Sequence, residues 1–306
     1  MCDTNIISLD GASKWYGKKP GVLDCNVDIP QGKITAMIGK NGAGKTTTIK
    51  MIMGYLRPTS GRVIVGGQPR NMLTVNRSIG YLPESLRFPE LYSINQLFEC
   101  LAGIRGLRYK EVEKFLEEAK DLFELHAHWK KTLRSCSKGT RQKVGIIQAF
   151  MHNPQLVIMD EPTTGLDPAV RYNFFQLLRQ RQSQGVSIII SSHHLREIES
   201  QADYYMFFHQ NRIFKAVDAE ELGVGSGSCI LVDKDVPSSL SPQLAKLSAA
   251  TAVDNGKKIL VSKKNLLNEV LSLLIRAELE VKNVQPEGAN LEDYFLSLLD
   301  KGSEAQ

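Results

Sequence analysis

The chain has 306 residues, 42% of them hydrophobic and 23% charged, with a formal net charge of +5. This is the make-up of an ordinary globular protein with room for two domains, and its basic residues are scattered rather than gathered into a block, so the charge does not imply nucleic acid. Five cysteines, an odd number, lie far apart without a C-x-x-C pair, so neither a disulfide framework nor a zinc site is suggested, and a reducing compartment fits. The longest apolar runs, such as 156–159 and 186–190, are far too short to span a bilayer. The first residues lack the basic and apolar segments of a signal peptide.

In chain order, residues 6–9 predict a strand, and 13–17, with the adjacent Trp15 and Tyr16, predict a turn. A second strand covers 23–29, and a third, apolar and buried, covers 33–38. After it comes Gly39-Lys40-Asn41-Gly42-Ala43-Gly44-Lys45-Thr46, then a helix over 47–53 that opens with Thr47. A turn at 58–61 leads to an exposed strand at 62–65, and 78–83 is a short strand stopped by Pro83. From about 91 to 132 the apolar residues Val112, Phe115, Leu116, Ala119, Leu122 and Phe123 recur at helical spacing, which predicts a helical insert. A helix from the 135–143 stretch to Phe150, a buried strand at 156–159, a helix over 169–184 and a strand at 187–191 follow. Strands alternating with helices predict a mostly parallel sheet with its working groups at the strand ends. Beyond about residue 222 the character shifts: residues 223–228 predict a linker. Strands at 229–232, 251–253, 258–261 and 281–284, with helices from 241, over 265–279 and over 291–299, give the β-α-β-β-α-β-α order of small ferredoxin-like modules.

The 39–46 stretch fits G-x-x-x-x-G-K-[ST], the phosphate-binding loop of nucleotide hydrolases. Its glycines let backbone N–H groups turn inward onto phosphate oxygens. Lys45 adds a point charge there, and the Thr46 hydroxyl can ligate Mg²⁺. The phosphates would sit at a helix N-terminus, where free N–H groups and the helix dipole favour anions. Downstream, four apolar residues lead to Asp160 and Glu161: the first placed beside the cation, the second able to polarise an attacking water as general base. An acidic turn after a core strand is the competing reading, but the run Asp160-Glu161-Pro162-Thr163-Thr164-Gly165-Leu166-Asp167-Pro168 is far more specific than a lone acidic pair.

Together these residues resemble the ATP-binding subunits of ABC transporters, with every motif of that family in order over residues 1 to about 222. Ser135 to Lys143 is similar to the family's signature loop, with Ser137 on its serine and Gly139 on its second glycine; Asp160 and Glu161 fall on the Walker B aspartate and catalytic glutamate; Asp167 falls on the D-loop; and Ser191-Ser192-His193 resembles the switch-histidine loop. Tyr16 stands where the family stacks an aromatic on adenine, a contact of roughly 1–3 kcal/mol by analogy with base stacking; Trp15 is read as ordinary packing. The resemblance implies a P-loop α/β core with a mostly parallel sheet, an N-terminal antiparallel β part and a helical subdomain at about 86–135, then a small α+β, ferredoxin-like domain at 223–306. It implies ATP and Mg²⁺ as cofactors. It also implies head-to-tail pairing with a second copy of the chain, so that each γ-phosphate meets one phosphate loop and the partner's signature loop, with His193 bonding the γ-phosphate and the water.

Two departures stand out. The signature reads Cys136-Ser137-Lys138-Gly139-Thr140 rather than the usual L-S-G-G-Q, and the Mg²⁺-sensing loop after Tyr81-Leu82-Pro83 begins with Glu84 rather than Gln. A carboxylate still offers a hard oxygen to Mg²⁺. The tail 289–295 resembles subunits of the antibiotic-exporter branch, a broad group that includes the ATPase subunit of nitrous-oxide-reductase copper maturation transporters. The expectation is an ATPase on the cytoplasmic face of a membrane, bound to a separate permease and exporting an unnamed cargo. The alternative is a soluble ATPase of the same family working on nucleic acid or ribosomes. The short span between phosphate loop and signature rules out a chromosome-structuring coiled coil, and the single cassette is unlike translation-factor relatives. His126 and His128 are read as solvated, and the Leu266–Leu274 stripe as a core face.

Overall fold

The computed structural model describes residues 5–69, 78–222, 227–237, 240–247, 250–253, 258–261, 266–277, 279–287 and 291–303; most of the expected linker, at 223–226, lies outside them. The strands and helices in chain order are β1 (Asn5–Tyr16), β2 (Lys19–Pro30), β3 (Ile34–Ile38), α1 (Lys45–Ile52), β4 (Ser60–Val65), β5 (Gln68–Pro69), β6 (Ile79–Leu82), α2 (Ile94–Ile104), α3 (Tyr109–Leu122), α4 (Lys138–Phe150), β7 (Leu156–Asp160), α5 (Pro168–Ser183), β8 (Ser187–Ser192), α6 (Leu195–Ile198), β9 (Tyr204–His209), β10 (Arg212–Asp218), α7 (Ala219–Leu222), β11 (Gly227–Val232), α8 (Ser241–Lys246), β12 (Ala250–Val253), β13 (Lys258–Val261), α9 (Leu267–Arg276), β14 (Val281–Glu287) and α10 (Leu291–Ser303). They form two compact units: Met1–His193 with Gln201–Ala216, and His194–Ser200 with Val217–Gln306.

In the first unit β1 pairs antiparallel with β2 and β4. A six-stranded sheet runs β10-β9-β3-β8-β7-β6, and the β9-β3-β8-β7-β6 pairings are parallel. Strands β3, β7 and β8 are buried at every position, as apolar runs covered on both faces must be. This parallel core ends all three strands at one edge, and the phosphate loop, Asp160 and His193 follow from those ends.

Local chemistry sets the helix starts. Ser93 and Gln96 form a reciprocal capping box on α2. Ser137 caps α4 by accepting the Thr140 N–H, and Asp167 caps α5 by accepting from Val170, with Pro168 at the first helical position. Gly80 lets α4 lie against β6: a Cβ there would stand 1.9 Å from the Ala149 carbonyl oxygen.

In the second unit the sheet order β12-β13-β11-β14, with antiparallel pairings and helices after β11 and β13, is the split βαβ arrangement of ferredoxin-like modules. The apolar stripe of α9 faces its core, where Val270 and Leu274 are fully buried with Ile230 and Ile259. The unit also includes α6: the Leu291 N–H donates to Glu199 Oε1 at 2.6 Å, and Arg196 lies 3.6 Å from Glu292.

Several expectations are corrected. Residues 13–16 continue β1 rather than forming a turn, since Trp15 and Tyr16 pair with Pro20 and Lys19, and the chain reverses at Gly17-Lys18. Trp15 is 42% exposed rather than packed. His126 and His128, by contrast, are not buried, as the solvated reading has it; they sit on a 3₁₀ turn, where His126 meets Asp121 at 2.6 Å. Strands β9 and β10 have no counterpart in the sequence reading.

Candidate active site

The phosphate loop links the buried strand β3 to α1. Its backbone could be built from few other residues. At Gly44 the backbone takes φ 109°, and a Cβ would meet Val22 Cγ1 at 2.6 Å. At Gly39 a Cβ would meet the Phe208 carbonyl at 2.6 Å. Lys45, the first residue of α1, is buried, and its ammonium donates to the Gly39 carbonyl at 2.5 Å. Burial holds its pKa below the usual lysine value, while the charges of Glu161, Asp160 and Glu84 oppose that shift.

Three strand ends meet here through hydroxyls and carboxylates. Thr46 Oγ donates to Asp160 Oδ2 at 2.9 Å. Ser191 Oγ donates to Asp160 Oδ1 at 2.5 Å and accepts the Glu161 N–H at 2.9 Å. Glu161 has φ 52°, a left-handed conformation uncommon outside glycine. Its Oε2 meets His193 Nδ1 at 2.7 Å. Among the described residues its buried Oε1 has no hydrogen-bond donor, and the Lys45 ammonium stands 3.9 Å away.

A cleft of about 650 Å³ opens over this cluster, lined by Tyr16, Lys40, Asn41, Gly42, Gly44, Lys45, Thr46, Thr47, Glu84, Asp160 and Glu161. Tyr16 stands half-exposed at its mouth, and Gly21 beneath makes room for the ring: a Cβ would stand 2.7 Å from Tyr16 Cε2. Gly39 and Ala43 shape the loop without lining the cleft. His193 lines a neighbouring hollow of about 490 Å³ with Glu84, Lys138 and Arg141. Ser137, Gly139 and Asp167 line neither. The hydroxyl of Ser137 and the carboxylate of Asp167 hold helix starts, and Gly139 leaves room for the Gly165 carbonyl, which a Cβ would approach to 3.0 Å.

Sequence reasoning missed several contributors. Asn211, in the turn between β9 and β10, lines the cleft. Gln142, buried on α4, donates to the Pro162 carbonyl at 2.9 Å, and Gln148 donates to the Tyr81 carbonyl at 2.7 Å, so α4 is tied both to the segment that follows Glu161 and to strand β6. The polar positions of Gln142 and Gln148 on the packed side of a helix were the available signal. Burial raises the Tyr81 hydroxyl well above the usual tyrosine range, and Asp160 adds to the shift.

Phosphate loop, paired strand-end carboxylates and a parallel sheet define a P-loop ATPase. The profile described as "ABC transporter" matches residues 22–164. The chain is 30% identical over 303 residues to the bacitracin transport ATP-binding protein BcrA of Enterococcus faecalis, covering 97% of each chain. It is 28% identical over 306 residues to the BcrA protein of Bacillus licheniformis, covering 98% of this chain and 99% of the relative. A solved structure described as an ATP-binding subunit of an ABC transporter superposes with a TM-score of 0.67 at 28% identity, over 71% of this chain and 91% of its own. The chain belongs to the ABC transporter family: it is an ATP-binding subunit, an ATPase coupled to transport.

Proposed function

We propose that the chain hydrolyses ATP as one half of a head-to-tail pair with a second copy of itself, on the cytoplasmic face of a membrane, and that it drives export through a separate permease chain. One observation carries the pairing. Ser137, Gly139 and Asp167 lie outside the chain's own cleft, while Ser137 and Gly139 stand at the start of α4, and a helix N-terminus suits a phosphate. A partner's nucleotide gives those groups a ligand. The bacitracin relatives support export of a drug-like cargo. The wider group that includes copper maturation transporters enters only through the tail motif and supports no narrower cargo. Among the described residues no helix is long and apolar enough to cross a membrane, which supports a separate membrane chain. We assign residues 1–222 to the ATPase and 223–306 to an accessory domain that senses a ligand or supports pairing.

In this reading the loop N–H groups and Lys45 bind the β- and γ-phosphates, and Tyr16 stacks on adenine. Glu161 takes the proton of the attacking water: its buried, donor-free Oε1 is a ready acceptor. His193, bonded to the other oxygen, steadies that carboxylate. The hard oxygens of Thr46, Asp160 and Glu84 at one cleft fit Mg²⁺, which supplies positive charge for the phosphate oxygens when bound. The test is Glu161→Gln. Loss of a general base costs about 10²–10⁴-fold in rate, so the variant is expected to bind ATP, accumulate as a dimer in gel filtration and hydrolyse very slowly. Hydrolysis at the parent rate would refute the assignment.

A further inference from the structure

Ser191 lies two residues before the histidine and has no place in the reading above. It sits on β8 directly opposite Asp160 on β7 in the parallel register, and it is fully buried. Its single hydroxyl serves two neighbours. It donates to Asp160 Oδ1 at 2.5 Å and accepts the Glu161 N–H at 2.9 Å. Thr46 takes the other Asp160 oxygen at 2.9 Å, so the Asp160 carboxylate is held from both sides. Glu161, in its left-handed conformation, follows the last residue of β7. Its N–H is buried and must find an acceptor, and Ser191 Oγ is that acceptor. With the N–H pinned, the Glu161 side chain meets His193, carried by the chain just past the end of β8.

We propose that Ser191 is a positioning residue for hydrolysis. Its hydroxyl locks the orientation of the cation-side carboxylate and the backbone of the general base together, in register with the strand that leads to His193. The proposal rests on the assignment of Glu161 as general base. It predicts a loss in turnover rather than in nucleotide binding, because Ser191 does not line the cleft where the nucleotide contacts lie.

The experiment uses the full chain with Ser191→Ala, Ser191→Thr and Ser191→Val, Thr and Val being near-isosteric but differing in the hydroxyl. Steady-state kcat and KM for ATP are measured beside the Kd of a fluorescent ATP analogue, and folding is checked by tryptophan fluorescence melting. The expected result is a fall in kcat of about a hundredfold for Ser191→Ala and Ser191→Val, the loss that goes with ångström-scale misplacement of catalytic groups. The Kd stays at the parent value, and Ser191→Thr recovers most of the turnover. Equal losses in the Thr and Val variants, or parent turnover in Ser191→Ala, would overturn the proposal. Glu161→Gln, run beside them, separates the two layers. Normal hydrolysis there overturns the general-base assignment itself. Blocked hydrolysis there with an active Ser191→Ala overturns only the role of Ser191.

Discussion

Replacing Gly80 with Ala tests how the signature helix is seated. Gly80 lies on β6, and a methyl at its Cα would stand 1.9 Å from the Ala149 carbonyl oxygen and 2.9 Å from the Ala149 carbonyl carbon. Ordinary contact begins at 3.4 Å, so helix or strand must move by more than an ångström. The helix that must move buries Val144, Ile146, Ile147, Ala149 and Phe150, and its Gln148 is bonded to the Tyr81 carbonyl, next to Gly80. Overpacking of a tight core costs about 1–3 kcal/mol and occasionally more. A backbone rather than a flexible side chain stands in the way, which places this case at about 3 kcal/mol, roughly a 150-fold shift in the folding equilibrium. For a unit of about 200 residues that is a fall in Tm of about 6–12 °C. The assay is favourable, because both tryptophans, Trp15 and Trp129, belong to the first unit, so fluorescence follows that unit alone. Gly103→Ala is the control. Gly103 is in α2 with open space around a Cβ, and Ala there is expected to stabilise by up to about 1 kcal/mol through helix propensity. A Gly80→Ala protein that melts within about 2 °C of the parent, a shift worth less than 1 kcal/mol, would refute the reasoning.

Three further outcomes follow from the site and its surroundings. Glu84→Gln is expected to keep ATPase activity, since Thr46 and Asp160 still offer oxygens to the cation and Lys45 loses only the smallest of its three carboxylate influences; loss of most turnover with ATP binding intact would contradict this. Chelating divalent cations is expected to abolish hydrolysis in the parent and in Glu84→Gln alike. Burial, with Arg105 adding to it, lowers the His152 pKa from 6.5 to about 4. The unfolded chain therefore binds this proton first, and the folded state loses stability as pH falls from 6.5 towards 4, with no contribution above that window. His152→Leu is expected to flatten the pH dependence of Tm in that window, and an unchanged slope would show that other groups carry it.

The phosphate loop, the Asp160-Glu161 strand end and the β-α-β-β-α-β order of the last part were legible because each is a local pattern with a tight steric or chemical requirement. The rest was hidden for identifiable reasons. Residues 13–17 look like a turn because Gly17 marks a chain reversal, yet Trp15 and Tyr16, aromatic residues that suit a strand, continue β1 by pairing with β2, a contact invisible to local spacing. The run Tyr204 to Phe208 is apolar enough to have marked β9, and Gln210 and Asn211 both take positive φ in the turn that follows, 45° and 61°, as tight hairpins demand. That hairpin went unread, and with it Asn211 at the cleft. The bond from Ser191 to the two acidic residues depends on cross-strand register, which no single strand's sequence states.

The second compact unit is stitched from two separate stretches of chain. Glu199, only six residues past His193, caps the start of α10 through its carboxylate. Bench genetics inherits a constraint from this weave. A stop codon after residue 222 does not prune an appendage. It strips away the helix against which α6 is packed, leaves the Glu199 carboxylate without the Leu291 N–H it holds, and removes the Glu292 carboxylate beside Arg196. Because the second unit takes in 194–200 as well as the chain beyond 216, a cut at 222 divides that unit rather than separating the two, and each unit is better interrogated by point changes than by truncation there.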